Sequence, residues 1–338
     1  MKPPLTWAPR RPPGDGEASV TPVRRLLVLL AALAVLGGAA AGYAAWTARR
    51  DPAPARAGQD GVLRPGQLMF RTATGRVAGV PLRDTSAAPV GGGPACDRFS
   101  TGGGTSICLV ARPGPVVTTH AVILDRSMRE TRRVKLAGIP NRAGMSQSGR
   151  MASWTVFVTG ESYSEGGFST WTGILDTRTG YAVTNIEDIP LTLNGRRHHA
   201  ADVNYWGVTF AADDNRFYAT VSTKGRTYLV EGDYGRWQAR ALRENAECPS
   251  LSPDGTRLVF KKRVSADPDR MWRLHLLDLA TMRETPLAEP ASVDDQVAWL
   301  DGHTVMYAKG PDVWSVPADG SGTPALLARG ASSPAVSR

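Results

Sequence analysis

Residues able to do chemistry are sparse in this chain, and few are spaced to act together. Five histidines (His120, His198, His199, His275 and His303) are scattered over 338 residues. Only His198 and His199 are close, and neighbours on a strand point to opposite faces. The three cysteines do not have zinc-site spacing. An α/β-hydrolase nucleophile needs a Gly-x-Ser-x-Gly elbow; Gly160-Glu-Ser-Tyr-Ser-Glu-Gly166 does not fit it. The carboxylate pairs Asp213–Asp214 and Asp294–Asp295 lie beside expected turns, where Asp bonds its own backbone. A glycosidase or metal lactonase would need carboxylates brought together from distant segments. Arg129, Arg132, Arg133 and Lys135 form the strongest local basic cluster, read as the solvated face of an outer strand. The expectation is therefore no catalytic residue, no bound cofactor and no metal.

Two other groups stand out. Cys96 and Cys108 bracket a glycine-rich segment that suggests a hairpin, across which an exported protein could form a disulfide. Cys248 is then left unpaired. Arg196, Arg197, His198 and His199 fall in Leu193–Asp202, which looks like an inserted loop. Long loops on rigid scaffolds often carry recognition, so these four residues are the candidate interaction loop.

Residues 26–46 carry no charge, and as a helix they would span about 31 Å, the thickness of a hydrocarbon core. Arg24 and Arg25 precede the run, and Arg49 and Arg50 follow it. The expectation is a disordered cytoplasmic head over 1–23, one transmembrane helix or signal anchor over 24–48, and a linker over 49–60. The bulk of the chain would then be extracytoplasmic, with a cleaved and secreted form as the alternative. The formal charge of +9 does not indicate nucleic-acid binding. Residues 1–60 hold eight basic and four acidic side chains, which leaves +5 on the other 278 residues. No basic stripe interleaved with aromatics appears, and anionic lipid headgroups suit the flanking arginines.

The rest of the chain repeats. Ser252, Pro253, Asp254 and Gly255 form a tight turn leading into Leu258-Val-Phe260. Looser copies occur at Trp299–Tyr307, Phe210–Tyr218 and Ser146–Ala152. A second element follows as Val122–Asp125, Gly173–Asp176 and His275–Asp278. Two copies continue into one tetrapeptide, Met128-Arg-Glu-Thr131 and Met282-Arg-Glu-Thr285. Units of 61–94, 95–138, 139–199, 200–246, 247–291 and 292–338 average about 46 residues, the length of a four-stranded propeller blade. A strand from 325–338 would close the ring onto the first unit.

The run Ser252-Pro-Asp-Gly-Thr-Arg-Leu-Val-Phe260 with Leu276-Leu-Asp-Leu279 resembles the WD-like repeat of TolB-type proteins. The resemblance extends loosely over 61–338, without the separate α/β domain that precedes the propeller in that family. It implies an all-β, six-bladed propeller acting as a non-catalytic binding module for a protein or envelope component. The competing readings are a propeller enzyme of glycosidase or lactonase type, and a sensor working with a partner membrane protein.

Overall fold

Alternation of apolar and polar residues, broken by Gly, Asp and Asn at the turns, produces short antiparallel strands throughout the larger part of the chain. The computed structural model describes residues 22–50, 62–114, 117–158 and 169–338. It divides into two units, Met1–Arg56 and Ala57–Arg338. The expected head, most of the linker and the Gly160–Gly166 segment lie outside the described residues.

The first unit contains one helix, Pro22–Arg50. Leu26, Leu30, Leu33 and Leu36 on it are all more than half exposed. Side chains are described for only part of this helix, and among the described residues no helix is long and apolar enough to cross a membrane. The expected transmembrane span is therefore not found there.

The second unit is a six-bladed β-propeller. From the inside outward, blade 2 is Arg98–Gly102, Thr105–Arg112, Thr118–Leu124 and Glu130–Ala137. Blade 3 is Ile139–Met145, Met151–Val158, Ser169–Asp176 and Ala182–Val183. Blade 5 is Glu247–Leu251, Arg257–Arg263, Trp272–Asp278 and Glu284–Pro286, and blade 6 is Ala298–Trp299, Thr304–Lys309, Asp312–Pro317 and Ala325–Ala328. Blade 1 combines the last strand of the chain, Ala331–Ser337, with Gln67–Thr72, Arg76–Pro81 and Val90–Ala95. This is the expected closure, with Leu68 opposite Val336 and Thr72 opposite Ala331. Apolar faces of successive blades meet in buried clusters. One cluster joins Leu109 and Ile123 of blade 2 to Trp154 and Val156 of blade 3.

Blade 4 departs from the four-stranded pattern. Its strands Asn204–Phe210, Arg216–Thr223, Arg226–Asp233 and Gln238–Glu244 are joined at the outer edge by Leu191–Leu193 and Arg196–His198, making six. The expected inserted loop is thus a β-hairpin. It follows blade 3 in the chain but pairs in parallel with Gln238–Glu244 of blade 4.

Three of the four turn copies share one backbone pattern; at Trp299–Tyr307, Leu300 N donates instead to Thr304 O, four residues on. At Ser146, Ala211 and Ser252 the N–H donates to the carbonyl five residues on, while the N–H three residues on donates back. The residue at that third position is left-handed in each case: Gly149 (φ 78°), Asp214 (φ 54°) and Gly255 (φ 72°). Asp214 can replace glycine because Asp tolerates this region better than most residues. The matching tetrapeptides each begin on a left-handed residue, Met128 (φ 57°) and Met282 (φ 56°), which ends an outer turn one residue longer in the second case.

Ser252 is fully buried; its hydroxyl accepts from Arg257 N (2.9 Å) and donates to Asp254 Oδ1 (2.5 Å). Ser252→Ala would leave the half-buried Arg257 N–H without its acceptor, so we expect a loss of about 1 kcal/mol in urea unfolding. Turn aspartates give a second expectation. Hydrogen bonds from Ser252 and Thr256 hold Asp254 well below the ordinary carboxylate range. Asp278 is lowered by Thr281, and at Asp176 the bonds from Arg150, Thr179 and Arg178 outweigh burial. Groups with depressed folded pKa values stabilise fully above the unfolded value, 3.8, and lose that contribution as pH falls through the folded value. These carboxylates should make the urea midpoint fall below about pH 4, less steeply in Asp176→Asn.

Candidate functional site at the channel mouth

The six inner strands line a central channel with a cavity of about 170 Å³, bordered by Arg98, Arg142 and Asp295, and also by Arg338. Irregular backbone shapes it. Register breaks fall at Asn141 in blade 3, between Trp206 and Thr209 in blade 4, between Glu247 and Ser250 in blade 5, and between the partners of Met69 and Arg71 in blade 1. A bulge leaves its extra residue out of the ladder and re-aims the chain. Cys248 (φ 49°) and Ser333 (φ 50°) take left-handed backbone here, each directly before a proline.

The bulge at Asn141 frees a carbonyl for the channel. Arg98 Nε donates to it at 2.6 Å and Arg142 Nη1 at 3.1 Å. Two guanidiniums from adjacent blades therefore share one acceptor and lie within a few ångström of each other. Arg142 also donates to Asp294 O (3.4 Å) and lies 3.9 Å from Asp294 Oδ1. Its Nε is buried with no hydrogen-bond partner. Among the described residues, no carboxylate lies within ion-pair distance of Arg98.

Lys261 completes the group. It sits opposite Glu247, is 4% exposed, pairs with Asp294, and lies 4.4 Å over the Trp272 ring. Asp295 Oδ2 accepts from Ala308 N at 3.1 Å. Burial lowers the Arg98 pKa, and the charge on Arg142 adds to that. Burial works against charge on Arg142 and Lys261 too. There, neighbouring Cys248 and Asp294, with Asp295 beside Arg142, outweigh it and raise both. The charges of Lys261 and Arg142 hold Asp294, whose side chain is mostly exposed, below the ordinary range. Glu247 is raised by burial. The mouth is thus a cationic set from blades 2, 3 and 5, facing acidic residues on the approach to blade 6.

The residues singled out from sequence are spread over the molecule. Cys96 and Cys108 form the expected disulfide, Cα–Cα 5.3 Å, and Cys248 is buried and free. Cys108 lies opposite Phe99, and Asp97 N extends the ladder to Leu109 O, which brings Cys96 alongside. Arg196, Arg197, His198 and His199 lie on and beside the outer hairpin of blade 4, where His198 Nε2 bonds Thr223 Oγ1 at 2.9 Å. Ser252–Gly255 lie in the turn between the strands Glu247–Leu251 and Arg257–Arg263. Asp213 caps its turn by accepting from Asn215 N and Arg216 N. Asp294, expected to cap a turn, instead meets Lys261. Arg133 pairs with Glu130 on an exposed outer strand. Among the described residues, no group of three or more His, Cys, Asp or Glu is placed to hold a metal ion. Sequence reading missed Arg98, Arg142 and Lys261, which are single cations on separate strands.

No protein-family model matches the chain, and neither does any curated protein. Solved structures do. TolB from Acinetobacter baumannii aligns with TM-score 0.54 at 14% identity, over 80% of this chain and 66% of that one. A chain of the nidogen/laminin complex aligns with TM-score 0.53 at 12% identity, over 80% of this chain and 98% of that one. At these identities the likeness is one of fold: a TolB-like six-bladed propeller.

The ion network gives a measurable asymmetry. Asp294→Asn removes the counter-charge of a buried ammonium, whereas Lys261→Met removes that charge and keeps its volume. Because the Asp294 side chain is 71% exposed, water moderates its loss. We expect about 1–2 kcal/mol for Asp294→Asn and less than about 1 for Lys261→Met in urea unfolding.

Proposed function

We propose that this chain is a membrane-anchored, extracytoplasmic propeller that binds a protein or cell-envelope component at its channel mouth, without catalysis. The observation that carries this reading is the mouth itself. Its cations are already held by protein groups, Arg98 and Arg142 by the Asn141 carbonyl and Lys261 by Asp294. Charged side chains fixed before binding lose little freedom on contact, which is how a rigid scaffold gains affinity. A closed ring of blades supplies that rigidity. TolB from Acinetobacter baumannii and a chain of the nidogen/laminin complex share this scaffold.

The anchor rests on sequence. The uncharged run 26–46 between arginine pairs has the length and flanks of a membrane segment, and the helix Pro22–Arg50 contains it. The short head before the run would stay in the cytoplasm while the larger unit is translocated. The hairpin carrying Arg196, Arg197, His198 and His199 offers a second contact surface.

Proximity labelling by the full chain in intact membranes tests the proposal. A specific extracytoplasmic partner is expected, and it should still be labelled when those four hairpin residues are changed to alanine. Loss of labelling in that variant would move the contact to the hairpin. No specific partner, together with a stoichiometric metal ion and turnover of a glycoside or lactone, would replace binding with catalysis.

A further inference from the structure

We infer that the channel mouth is an oxyanion site, in which the guanidiniums of Arg98 and Arg142 together grip a carboxylate or phosphate group. This rests on the binding reading above and names the chemistry the partner presents. Three observations converge on it. First, the two guanidiniums are pinned to one neutral acceptor, the carbonyl of Asn141, which satisfies one donor of each. A guanidinium has five N–H donors, so both retain donors for a ligand. Second, Arg98 has no direct ion-pair partner among the described residues, and Asp295 and Asp97 act on it only from a distance. Lys261 takes Asp294 at close range, Arg142 reaches the same carboxylate only at 3.9 Å, and Asp295 is engaged by the backbone of Ala308. No carboxylate among the described residues pairs with Arg98. Third, Arg142 Nε is buried without a partner, a costly state for a charged donor that an arriving acceptor would relieve.

Geometry favours an oxyanion over a bulky ligand. The cavity beside these side chains, about 170 Å³, admits a small planar or tetrahedral group. Planar forks match carboxylate and phosphate oxygens with paired, parallel bonds. Like charges held side by side attract an anion more strongly than either alone, and their low exposure limits screening by salt. Arg71 extends the cationic side toward blade 1, where its Nε donates to Cys96 O at 2.6 Å and its Nη1 to Ser332 Oγ at 3.5 Å.

The test is calorimetric titration of the purified full chain in detergent with inorganic phosphate and, separately, acetate, against chloride at matched ionic strength. Saturable binding of phosphate, acetate or both is expected, with none for chloride. Phosphate alone would indicate a phosphate-bearing ligand, and acetate a carboxylate-bearing one. Arg98→Gln should weaken binding at least tenfold while leaving circular dichroism unchanged, since its recorded bond is a single one to Asn141 O. Arg142→Gln should weaken it similarly. Arg226→Gln, whose guanidinium pairs with Glu244 away from the channel in blade 4, should bind as the unaltered protein does. Equal binding of chloride, or unchanged binding by Arg98→Gln, would overturn the inference. If Arg98→Gln still labels the same membrane partner, the binding reading stands and only the oxyanion assignment falls.

Discussion

Closure of the ring is the constraint on which the rest of this structure depends. The last strand, Ala331–Ser337, is the inner strand of the first blade and pairs along Gln67–Thr72. Without it, blade 1 would present an open edge to the channel and blade 6 would lose its neighbour. An unpaired edge is an aggregation hazard as well as a loss of packing. Residues from both ends of the propeller meet in one buried cluster, in which Leu68 and Phe70 pack with Met306 and Val336. Long-range pairing of this kind is slow to form. Once made, it holds six sheets at fixed distances around one axis.

That fixed geometry is what gives the mouth its chemistry. Arg98, Arg142 and Lys261 come from three blades, and none would be unusual alone. The bulges of the inner strands turn backbone carbonyls such as that of Asn141 toward the channel, where they serve as fixed acceptors. Left-handed Cys248 and Ser333, each forced against a following proline, show local backbone strain at the same inner strands. The turns at the other ends of these strands are tied to one another, as when Ser148 donates to Asp214 at 2.7 Å and Gln147 to Pro253 O at 3.1 Å. A ring tied at its turns can hold like charges together at its mouth.

Much of the fold was legible in the sequence because the repeat records backbone chemistry. Pro253-Asp-Gly255 and Ala212-Asp-Asp214 look different as letters, yet both place a left-handed residue third. The shared Met-Arg-Glu-Thr run marked two outer turns that each end on a left-handed methionine. The disulfide was legible because its cysteines flank one hairpin. The mouth was not, because convergence belongs to the ring and not to any segment: Arg98 and Lys261 are 163 positions apart in sequence. The histidine-bearing insertion drew attention for its composition, and it forms two added edge strands on blade 4. Asp294 read as a turn residue because its partner, Lys261, lies in the preceding blade.

The central claim is that recognition occurs at the mouth, and hydrogen exchange on the full chain with phosphate and with acetate, each against chloride, tests it most directly. Protection should rise in the inner strands Arg98–Gly102 and Ile139–Met145, with little change in the hairpin around Arg196–His198. No change at those two strands, or protection confined to the hairpin, would contradict the claim.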